Sequence, residues 1–437
     1  MDWAAAAALL LGSVIALMAL GMPVALAFLA SNVVGVYIFM GGLPGIGQLV
    51  ANATASVTSF ILVPVPLFVL MGSLFFHSGL ARRVFDALDL CIGNLQGRLA
   101  YLTVLNGTIF AALSGSSMAN TAMLGSLMVP EMRARGYKTS LAVGPILGCG
   151  GLAILIPPST LAVLLASLGR IDVGALLIAG ILPGLLLAVL YAVLIRLHLR
   201  LDPKAAPAYS IAKVSAGRKL NAIAVNILPM GLVVFAVVGL IILGIATPSE
   251  AAAFGVLAVL ILALVFKSLT IHSLRQAAMD GVRITGMTFL ILIGSSTFSQ
   301  ILAFSGATSG FIALATGLDL TPLAMLLCML AVLLVLGMVM DQLSMMLLTL
   351  PIFIPVAASL GFDLIWFAVI ILLALEISLI TPPFGLLLFV MLGAAPEDVS
   401  FGEVVLAGLP YIGSAMIVTL LVVIWPELAL FLPGLMR

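Results

Sequence analysis

The chain has 437 residues, of which 64% are hydrophobic and only 8% are charged, and its formal net charge is +1. A soluble globular domain is about one-quarter charged, so this composition excludes a protein that faces water over its whole surface, and the balanced charge argues against a nucleic-acid partner. Because the apolar runs are long and continuous rather than short and alternating, we predict an all-α polytopic membrane protein and not a β-barrel.

Ten apolar stretches have about the length that a helix needs to cross the bilayer, roughly 20 residues. One hydrophilic linker, 196–219, divides them into two halves. The predicted membrane helices cover residues 3–22, 24–41, 47–78, 139–169, 172–199, 220–244, 248–267, 284–304, 364–395 and 403–432.

Two charged segments are predicted to be helices that lie along the membrane surface. Segment 81–95 has apolar residues at helical spacing, with Arg82 and Asp86 on the opposite face. Segment 268–283, which contains Arg275, is interpreted in the same way.

Two further apolar stretches are too long for one crossing: 99–130, which has no charged residue, and 320–362, whose one charged residue is Asp341. Each has polar residues near its centre, at 114–117 in the first and at 341–342 in the second. Such a turn is tolerated at membrane depth only where protein or a water-filled cavity surrounds it. We therefore predict two re-entrant helical hairpins; an ordinary helix pair with a short polar turn is the alternative.

The two halves resemble each other. An offset of 225 residues carries Pro157-Pro158 onto Pro382-Pro383, and the same offset carries Ser116-Ser117 onto Asp341-Gln342. This ordered set of matches predicts an internal repeat.

The basic residues predict the orientation of the repeats, because Lys and Arg concentrate on the cytoplasmic side. All Lys and Arg residues except Arg170 and Arg437 lie on the cytoplasmic side if four segments are placed there: 82–98, 131–138, 196–219 and 267–283. The two hairpins then enter from opposite sides of the membrane. Inverted repeats that each have a hairpin and a broken helix are typical of a secondary transporter with alternating access.

The proline pairs are the strongest chemical signal. Each interrupts an apolar helix, removes backbone donors and frees carbonyl groups, which suit a sodium ion together with hydroxyl oxygens. The half-helix N-termini suit a substrate carboxylate. Structural kinks without a ligand are the alternative. The residues concerned are Pro157, Pro158 and Ser159 in the first break and Thr381, Pro382, Pro383 and Gly385 in the second.

The first hairpin tip offers hydroxyls, an amide and flexible backbone. Its candidate ligands are Ser114, Gly115, Ser116, Ser117 and Asn120. Small residues also allow close helix packing, and this explains Gly115 but not Asn120. Gly150, before the first break, would let the backbone approach an ion or the substrate.

Asp341 and Glu376 are the only acidic residues deep in apolar stretches. A charge at the bilayer centre is costly, so such residues are functional candidates by default. Either could bind sodium or carry a proton, and a hydrogen-bonded structural role remains the alternative. Gln342 lies beside Asp341 at the second tip.

Motifs in both halves resemble those of the large permease subunit of tripartite ATP-independent periplasmic (TRAP) transporters, the DctM-like proteins. The similarity extends essentially from end to end. The motifs are ALSGSSMANTA at 112–122, VPEMRARGY at 129–137, IPPS at 156–159, ATPSEAAA at 246–253 and TPPFG at 381–385.

The resemblance implies sodium-driven import of an organic acid across the bacterial inner membrane by an elevator-type movement. It also implies a small membrane subunit, a periplasmic substrate-binding protein, and sodium as coupling ion with no other cofactor. The expected division is a scaffold at 1–98, a first transport repeat at 99–199, a linker with scaffold helices at 200–283 and a second repeat at 284–437. The sodium sites are expected at the hairpin tips and proline breaks.

Other functions predict different features. A binding-protein-independent dicarboxylate or citrate carrier would also use paired hairpins and proline breaks, and an ion channel would show single-channel currents. The sequence has no GxxxxGK[ST] or HExxH motif, and no histidine lies near the first tip, so we predict that the chain is not an enzyme.

Overall fold

The structure, a computed structural model, describes residues 1–207, 214–317, 320–396 and 398–436. The predicted linker at 196–219 lies partly, and Arg437 wholly, outside these residues. Within them the regular elements are all helices, as predicted. Seven segments are long and apolar enough to cross a membrane: Phe60–His77, Val173–Leu201, Ala216–Ile242, Pro248–Val265, Ile271–Phe304, Gln342–Ser359 and Phe401–Ile424.

The prediction of one helix over 47–78 is wrong, because two helices occupy this region. Pro64 and Pro66 lack the N–H that a helix interior needs, and Pro64 instead opens a new helix. An amphipathic helix is present in the predicted segment 81–95 but covers Leu80–Cys91, with Val84 buried and Arg82 exposed. The helices of this region are α1 (Trp3–Ala19), α2 (Val24–Phe39), α3 (Leu43–Val57), α4 (Pro64–His77) and α5 (Leu80–Cys91).

The first predicted hairpin is a pair of helices joined at Gly115 and Ser116. The first predicted helix break is also present, because α-helix ends at Gly151 and resumes at Thr160. The helices are α6 (Arg98–Ser114), α7 (Ser117–Ala134), α8 (Thr139–Gly151), α9 (Thr160–Gly169), α10 (Val173–Ala179) and α11 (Ile181–Leu201).

The prediction of a separate surface helix at 268–283 is wrong. These residues form the first turns of one continuous 34-residue helix. At 1.5 Å per residue its length is about 51 Å, so its charged N-terminal turns extend beyond a hydrocarbon core of about 30 Å. The helices of this region are α12 (Ala216–Ala222), α13 (Leu228–Val234), α14 (Leu240–Ile242), α15 (Pro248–Val265) and α16 (Ile271–Phe304).

The sequence analysis missed a helix, α17 (Ala307–Gly317). The 225-residue offset carries the first surface segment, 81–95, onto 306–320. The counterpart of that segment is therefore α17 and not the beginning of α16.

The second hairpin and the second break are also helical pairs at the predicted positions. The offset carries the bounds of α7, 117 and 134, onto 342 and 359, which are the bounds of the corresponding second-half helix. The helices are α18 (Pro322–Gly337), α19 (Gln342–Ser359), α20 (Leu364–Ile380), α21 (Leu386–Ala394), α22 (Phe401–Ile424) and α23 (Glu427–Gly434).

The two halves pack against each other reciprocally. Helix α7 of the first hairpin contacts α21, which follows the second break, and α19 of the second hairpin contacts α9, which follows the first. Gly125 lies against Ala394 in the first contact, and Gly169 lies near Ile354 in the second. Each hairpin is thus supported by the broken helix of the other half as well as by that of its own half.

Candidate functional site

Both hairpin tips line one cavity of about 520 Å³. The first tip contributes residues 114–120 and the second contributes residues 341–343. Helices α4, α9 and α16 complete the walls, which are mainly apolar. Two polar tips that are 225 residues apart in the sequence therefore share one cavity.

The first tip rests against the first proline break. Gly115 has a left-handed backbone (φ 59°), and a methyl group there would lie 2.9 Å from the carbonyl oxygen of Pro158. Glycine is thus required by both conformation and space. Ser116 caps α7 by accepting a 3.4 Å hydrogen bond from the backbone N–H of Ala119, and Ser117 is buried.

The first break itself is buried. Pro157, Pro158 and Ser159 have almost no exposed surface, and the peptide bond between the prolines is cis. The Ser159 hydroxyl caps α9 by accepting from the N–H of Ala162 at 3.2 Å. These three residues lie behind the cavity, whereas Thr160 reaches its wall.

At the second tip, Asp341 is the N-cap of α19. Its carboxylate accepts from the backbone N–H groups of Leu343 at 3.0 Å and Ser344 at 3.2 Å, and also from the Ser344 hydroxyl. Gln342 donates to the Leu375 carbonyl of α20 at 3.5 Å. The tip therefore lies against the second broken helix, and Asp341 forms the hydrogen bonds of a helix cap.

The second break is more open than the first. Thr381 donates to the Ile377 carbonyl at 2.6 Å, which ends α20. A methyl group at Gly385 would lie 2.8 Å from the carbonyl oxygens of Leu379 and Thr381, so the backbone folds tightly there. Pro382 is half-buried, Pro383 is exposed, and their peptide bond is cis.

A buried polar cluster lies behind the first tip, around the glycines at the end of α8. Asn120 donates to the carbonyls of Gly107 at 3.1 Å and Cys149 at 3.0 Å. Gly150 faces the Thr121 hydroxyl so closely that a methyl group would overlap it, and Gly151 faces Glu376.

The cluster contains oxygen atoms with no hydrogen-bond partner among the described residues. Glu376 accepts from the Tyr191 hydroxyl at 2.9 Å through Oε1, but its Oε2 has no partner. Oδ1 of Asn120 and Oγ1 of Thr121 are also buried and unpartnered. Buried polar groups are normally satisfied, so this cluster is a candidate cation site.

Comparison with known families decides the identity. Residues 11–428 match the family model described as the DctM component of the tripartite ATP-independent periplasmic transporter. The chain belongs to this DctM family. It is therefore a multi-pass permease subunit of the bacterial inner membrane and not an enzyme.

Individual relatives agree with the family assignment. The chain is 32% identical to the C4-dicarboxylate TRAP transporter large permease protein DctM of Pseudomonas aeruginosa, over 86% of each chain. It is 28% identical to the sialic acid TRAP transporter large permease protein SiaM of Vibrio cholerae, over 95% of each. The fold is similar to that of the Alcanivorax borkumensis YdaH transporter (TM-score 0.63, 14% identity, 88% and 89% covered).

In this DctM chain the predicted site residues divide into three groups. Ser114, Gly115, Ser116, Ser117, Asn120, Asp341 and Gln342 line the cavity. Gly150 and Glu376 belong to the buried cluster, and Pro157, Pro158, Ser159, Thr381, Pro382, Pro383 and Gly385 form the two breaks.

Sequence reasoning missed three residues of the DctM chain that the structure adds. Tyr191 is the partner of Glu376, and no local pattern connects positions 185 residues apart. His77 and Asp280 are paired at 2.7 Å and line the same cavity as the tips, so the expectation that no histidine lies near the first tip is wrong. Their polarity within apolar surroundings was a usable signal, but the incorrect surface helix at 268–283 placed Asp280 outside the membrane.

Proposed function

We propose that the chain imports an organic acid in a sodium-coupled, binding-protein-dependent manner, and that the cavity between the hairpin tips holds the substrate. The observation that carries this proposal is that tips 225 residues apart line one cavity. Its volume of about 520 Å³ falls within the range of small-molecule sites, about 300–1,000 Å³.

A carboxylate suits the electrostatics of this cavity. The N-terminus of α7 reaches it, and a helix N-terminus carries partial positive charge and free N–H groups. The N-terminus of α19 also reaches it, but the Asp341 carboxylate already caps that end. No Lys or Arg lines the cavity among the described residues. The N-terminus of α7 and the neutral polar side chains of the lining, among them the hydroxyls of Ser114 and Ser116, are thus the groups proposed to hold the anion.

Sodium suits the oxygen-rich positions beside the cavity. Asp341 supplies a carboxylate at the second tip, and the buried cluster supplies the unpartnered oxygens of Asn120, Thr121 and Glu376. Transporters of this kind bind coupling ions with oxygens at interrupted helices near the bilayer midplane. Which of these oxygens bind sodium is part of the proposal.

The reciprocal packing of α7 with α21 and of α19 with α9 supports an inverted repeat. Two oppositely oriented halves would allow the hairpins and broken helices to move as one body against the scaffold helices, as in an elevator. The division into scaffold and transport repeats given above belongs to this proposal.

The partners and substrate class follow from the family. TRAP permeases imply a small membrane subunit and a periplasmic binding protein, and we propose both for this chain. The relatives are named for C4-dicarboxylates and for sialic acid. These substrates share a carboxylate, so we propose an organic acid without choosing between them.

Uptake into proteoliposomes tests the proposal. The chain is reconstituted with a small membrane subunit and a binding protein, and labelled succinate and sialic acid are supplied with or without an inward sodium gradient. We expect uptake of one acid that requires both the gradient and the binding protein. Uptake that is equal with and without the sodium gradient contradicts the coupling. Uptake without the binding protein favours the alternative function, a binding-protein-independent dicarboxylate carrier.

A matched pair of variants tests the position of the site. Ser116→Ala and Ser215→Ala each remove an N-cap hydroxyl that accepts one 3.4 Å hydrogen bond, but only Ser116 lines the cavity. We expect Ser116→Ala to lower uptake at least ten-fold and Ser215→Ala to leave it within two-fold. Equal effects would mean that the tip does not bind substrate.

A further inference from the structure

A second cleft of about 300 Å³ lies between α3 and α16 on one side and the end of α9 with α19 on the other. Its lining is polar, with the side chains of Asn52, Gln300 and several serines. Its one charged lining residue among the described part of the chain is Arg170. The family site described above does not include this cleft.

Arg170 is free to bind an anion. It is exposed at the C-terminal end of α9 and forms no ion pair with any described residue. The nearby carboxylate of Asp172 caps α10 by accepting from the N–H of Ala175 at 2.6 Å. A guanidinium is matched in shape to a carboxylate, which it binds through two parallel hydrogen bonds.

Serine hydroxyl groups line the same cleft as this arginine. The side chains of Ser59, Ser167, Ser295 and Ser299 line the cleft, and none of these hydroxyls has a hydrogen-bond partner within the described chain. They are available as additional donors to the oxygens of a bound acid. The cleft thus combines one cation, several free donors and no acidic side chain.

The cleft and the cavity of the hairpin tips lie along the same interface. Helix α16 lines the cavity with residues 280–288 and the cleft with residues 292–300, at spacings of three and four residues on one face. Helix α9 lines the cavity with residues 160–164, and residues 167–170 at its C-terminal end line the cleft. From 280 to 300 the helix rises about 30 Å, the thickness of the hydrocarbon core.

The basic residues indicate which end faces outward. Arg275 and Arg283 lie toward the N-terminal end of α16, which is predicted to be cytoplasmic. The cavity lies nearer that end and the cleft nearer the opposite one. Arg170 was an exception to the distribution of basic residues, and a binding role explains why a cation is present on the external side.

We propose that the Arg170 cleft is an external docking site for the carboxylate substrate, occupied before the substrate reaches the hairpin tips. This inference rests on the proposed import of an organic acid and adds a specificity-determining residue to it. The guanidinium holds the carboxylate, and the serine hydroxyls of α9, of α16 and of the segment between α3 and α4 orient it at the mouth of the interface.

Arginine-selective labelling tests the site on the full chain in nanodiscs. Phenylglyoxal modification of Arg170 and of Arg275, an exposed arginine of α16 that lines neither cleft nor cavity, is measured by peptide mass spectrometry. Succinate, sialic acid and the neutral analogue succinamide are compared at equal ionic strength. We expect at least one acid to slow labelling of Arg170 several-fold, with no effect of succinamide and no protection of Arg275.

Lipid phosphate is the other source of an anion, and the lipid composition separates the two. Nanodiscs of phosphatidylcholine alone are compared with nanodiscs that contain phosphatidylglycerol. Protection by an acid in phosphatidylcholine supports the docking site. Protection by phosphatidylglycerol alone, or equal behaviour of Arg170 and Arg275, overturns it.

Uptake kinetics give a second readout. Arg170→Gln is expected to raise the half-saturating concentration about ten-fold with little change in maximal rate, Arg170→Lys to raise it less, and Arg275→Gln to leave it unchanged. A loss of maximal rate alone would overturn the docking role. If the docking role is wrong, the unmodified chain still shows sodium-dependent uptake. If the proposed function is wrong, that uptake is absent, so the two outcomes are distinguishable.

Discussion

Ser116 and Asp341 lie 225 residues apart, yet each is the N-cap of the second helix of a hairpin and both line the same cavity. The two positions correspond in the repeat but differ in charge. A neutral hydroxyl at one tip favours an anion at the adjacent helix N-terminus, whereas a carboxylate at the other favours a cation. We therefore expect the two tips to have different roles, with the substrate carboxylate nearer Ser116 and sodium nearer Asp341.

The first prediction concerns stabilisation by sodium. A ligand that binds only the folded state raises its stability, by about 2.7 kcal/mol at 100 times its Kd. We expect NaCl to raise the thermal unfolding midpoint of the purified chain more than KCl does at equal ionic strength. Asp341→Asn should abolish the difference while keeping the helix cap, because Asn caps as well as Asp.

Asp363→Asn is the matched control for that experiment. Asp363 caps α20 through the N–H groups of Ile365 and Trp366 but does not line the cavity. It should retain the full sodium effect. A sodium effect that survives in Asp341→Asn would remove this carboxylate from the proposed site.

The second prediction concerns Gly150. In Gly150→Ala the new methyl group overlaps the Thr121 hydroxyl, and overpacking of a core typically costs about 1–3 kcal/mol. The unfolding midpoint should fall, and Thr121→Ala should restore much of the loss in a double-mutant cycle. Gly286→Ala is the control, because no atom lies within 4 Å of the added methyl group, and it should not be destabilised. Additive effects of Gly150→Ala and Thr121→Ala would contradict a contact between these two positions.

The third prediction concerns Tyr191. In Tyr191→Phe the buried Oε1 of Glu376 loses its hydrogen bond, at a cost of about 1–3 kcal/mol. Glu376→Gln keeps the shape and an acceptor for Tyr191, so it should fold, but it removes a carboxylate from the candidate cation site. Sodium stabilisation that is unchanged in Glu376→Gln would give this carboxylate a structural role.

Tyr411→Phe serves as the control for Tyr191→Phe. The two tyrosine rings are 5.1 Å apart, and the Tyr411 hydroxyl makes no hydrogen bond within the described residues. Its removal should therefore change the unfolding midpoint less. Equal losses in both variants would show that the bond to Glu376 does not account for the effect.

The fourth prediction concerns pH. The Lys138 ammonium, 2.5 Å from Asp202, holds the pKa of that carboxyl below its usual value of 3.8. A carboxyl whose pKa is lower in the folded state stabilises the fold at pH values above its unfolded-state pKa. This contribution disappears as the pH falls through the folded-state pKa. Below about pH 4 the unfolding midpoint of the unmodified chain should approach that of Asp202→Asn. A gap between them that is constant from pH 6 to 3 would contradict the pairing.

Much of the architecture could be predicted because lipid restricts membrane-spanning segments to helices and closed barrels. Polar residues inside apolar stretches, such as Ser116 and Asp341, marked the hairpin turns, and the proline pairs marked the breaks. Periodicity could not show that 271–304 is one helix, because its charged first turns look like a surface segment. Pairings such as Tyr191 with Glu376 depend on how helices pack, and no spacing in the sequence encodes them.

The reciprocal support of the hairpins has a consequence for dividing the gene. A cut in the hydrophilic linker at 196–219 would give two polypeptides, each lacking the α9 or α21 surface on which its own hairpin leans. Neither fragment expressed alone should keep its polar turn in place, whereas co-expressed fragments should reassemble. We therefore expect the folding unit to be the whole chain.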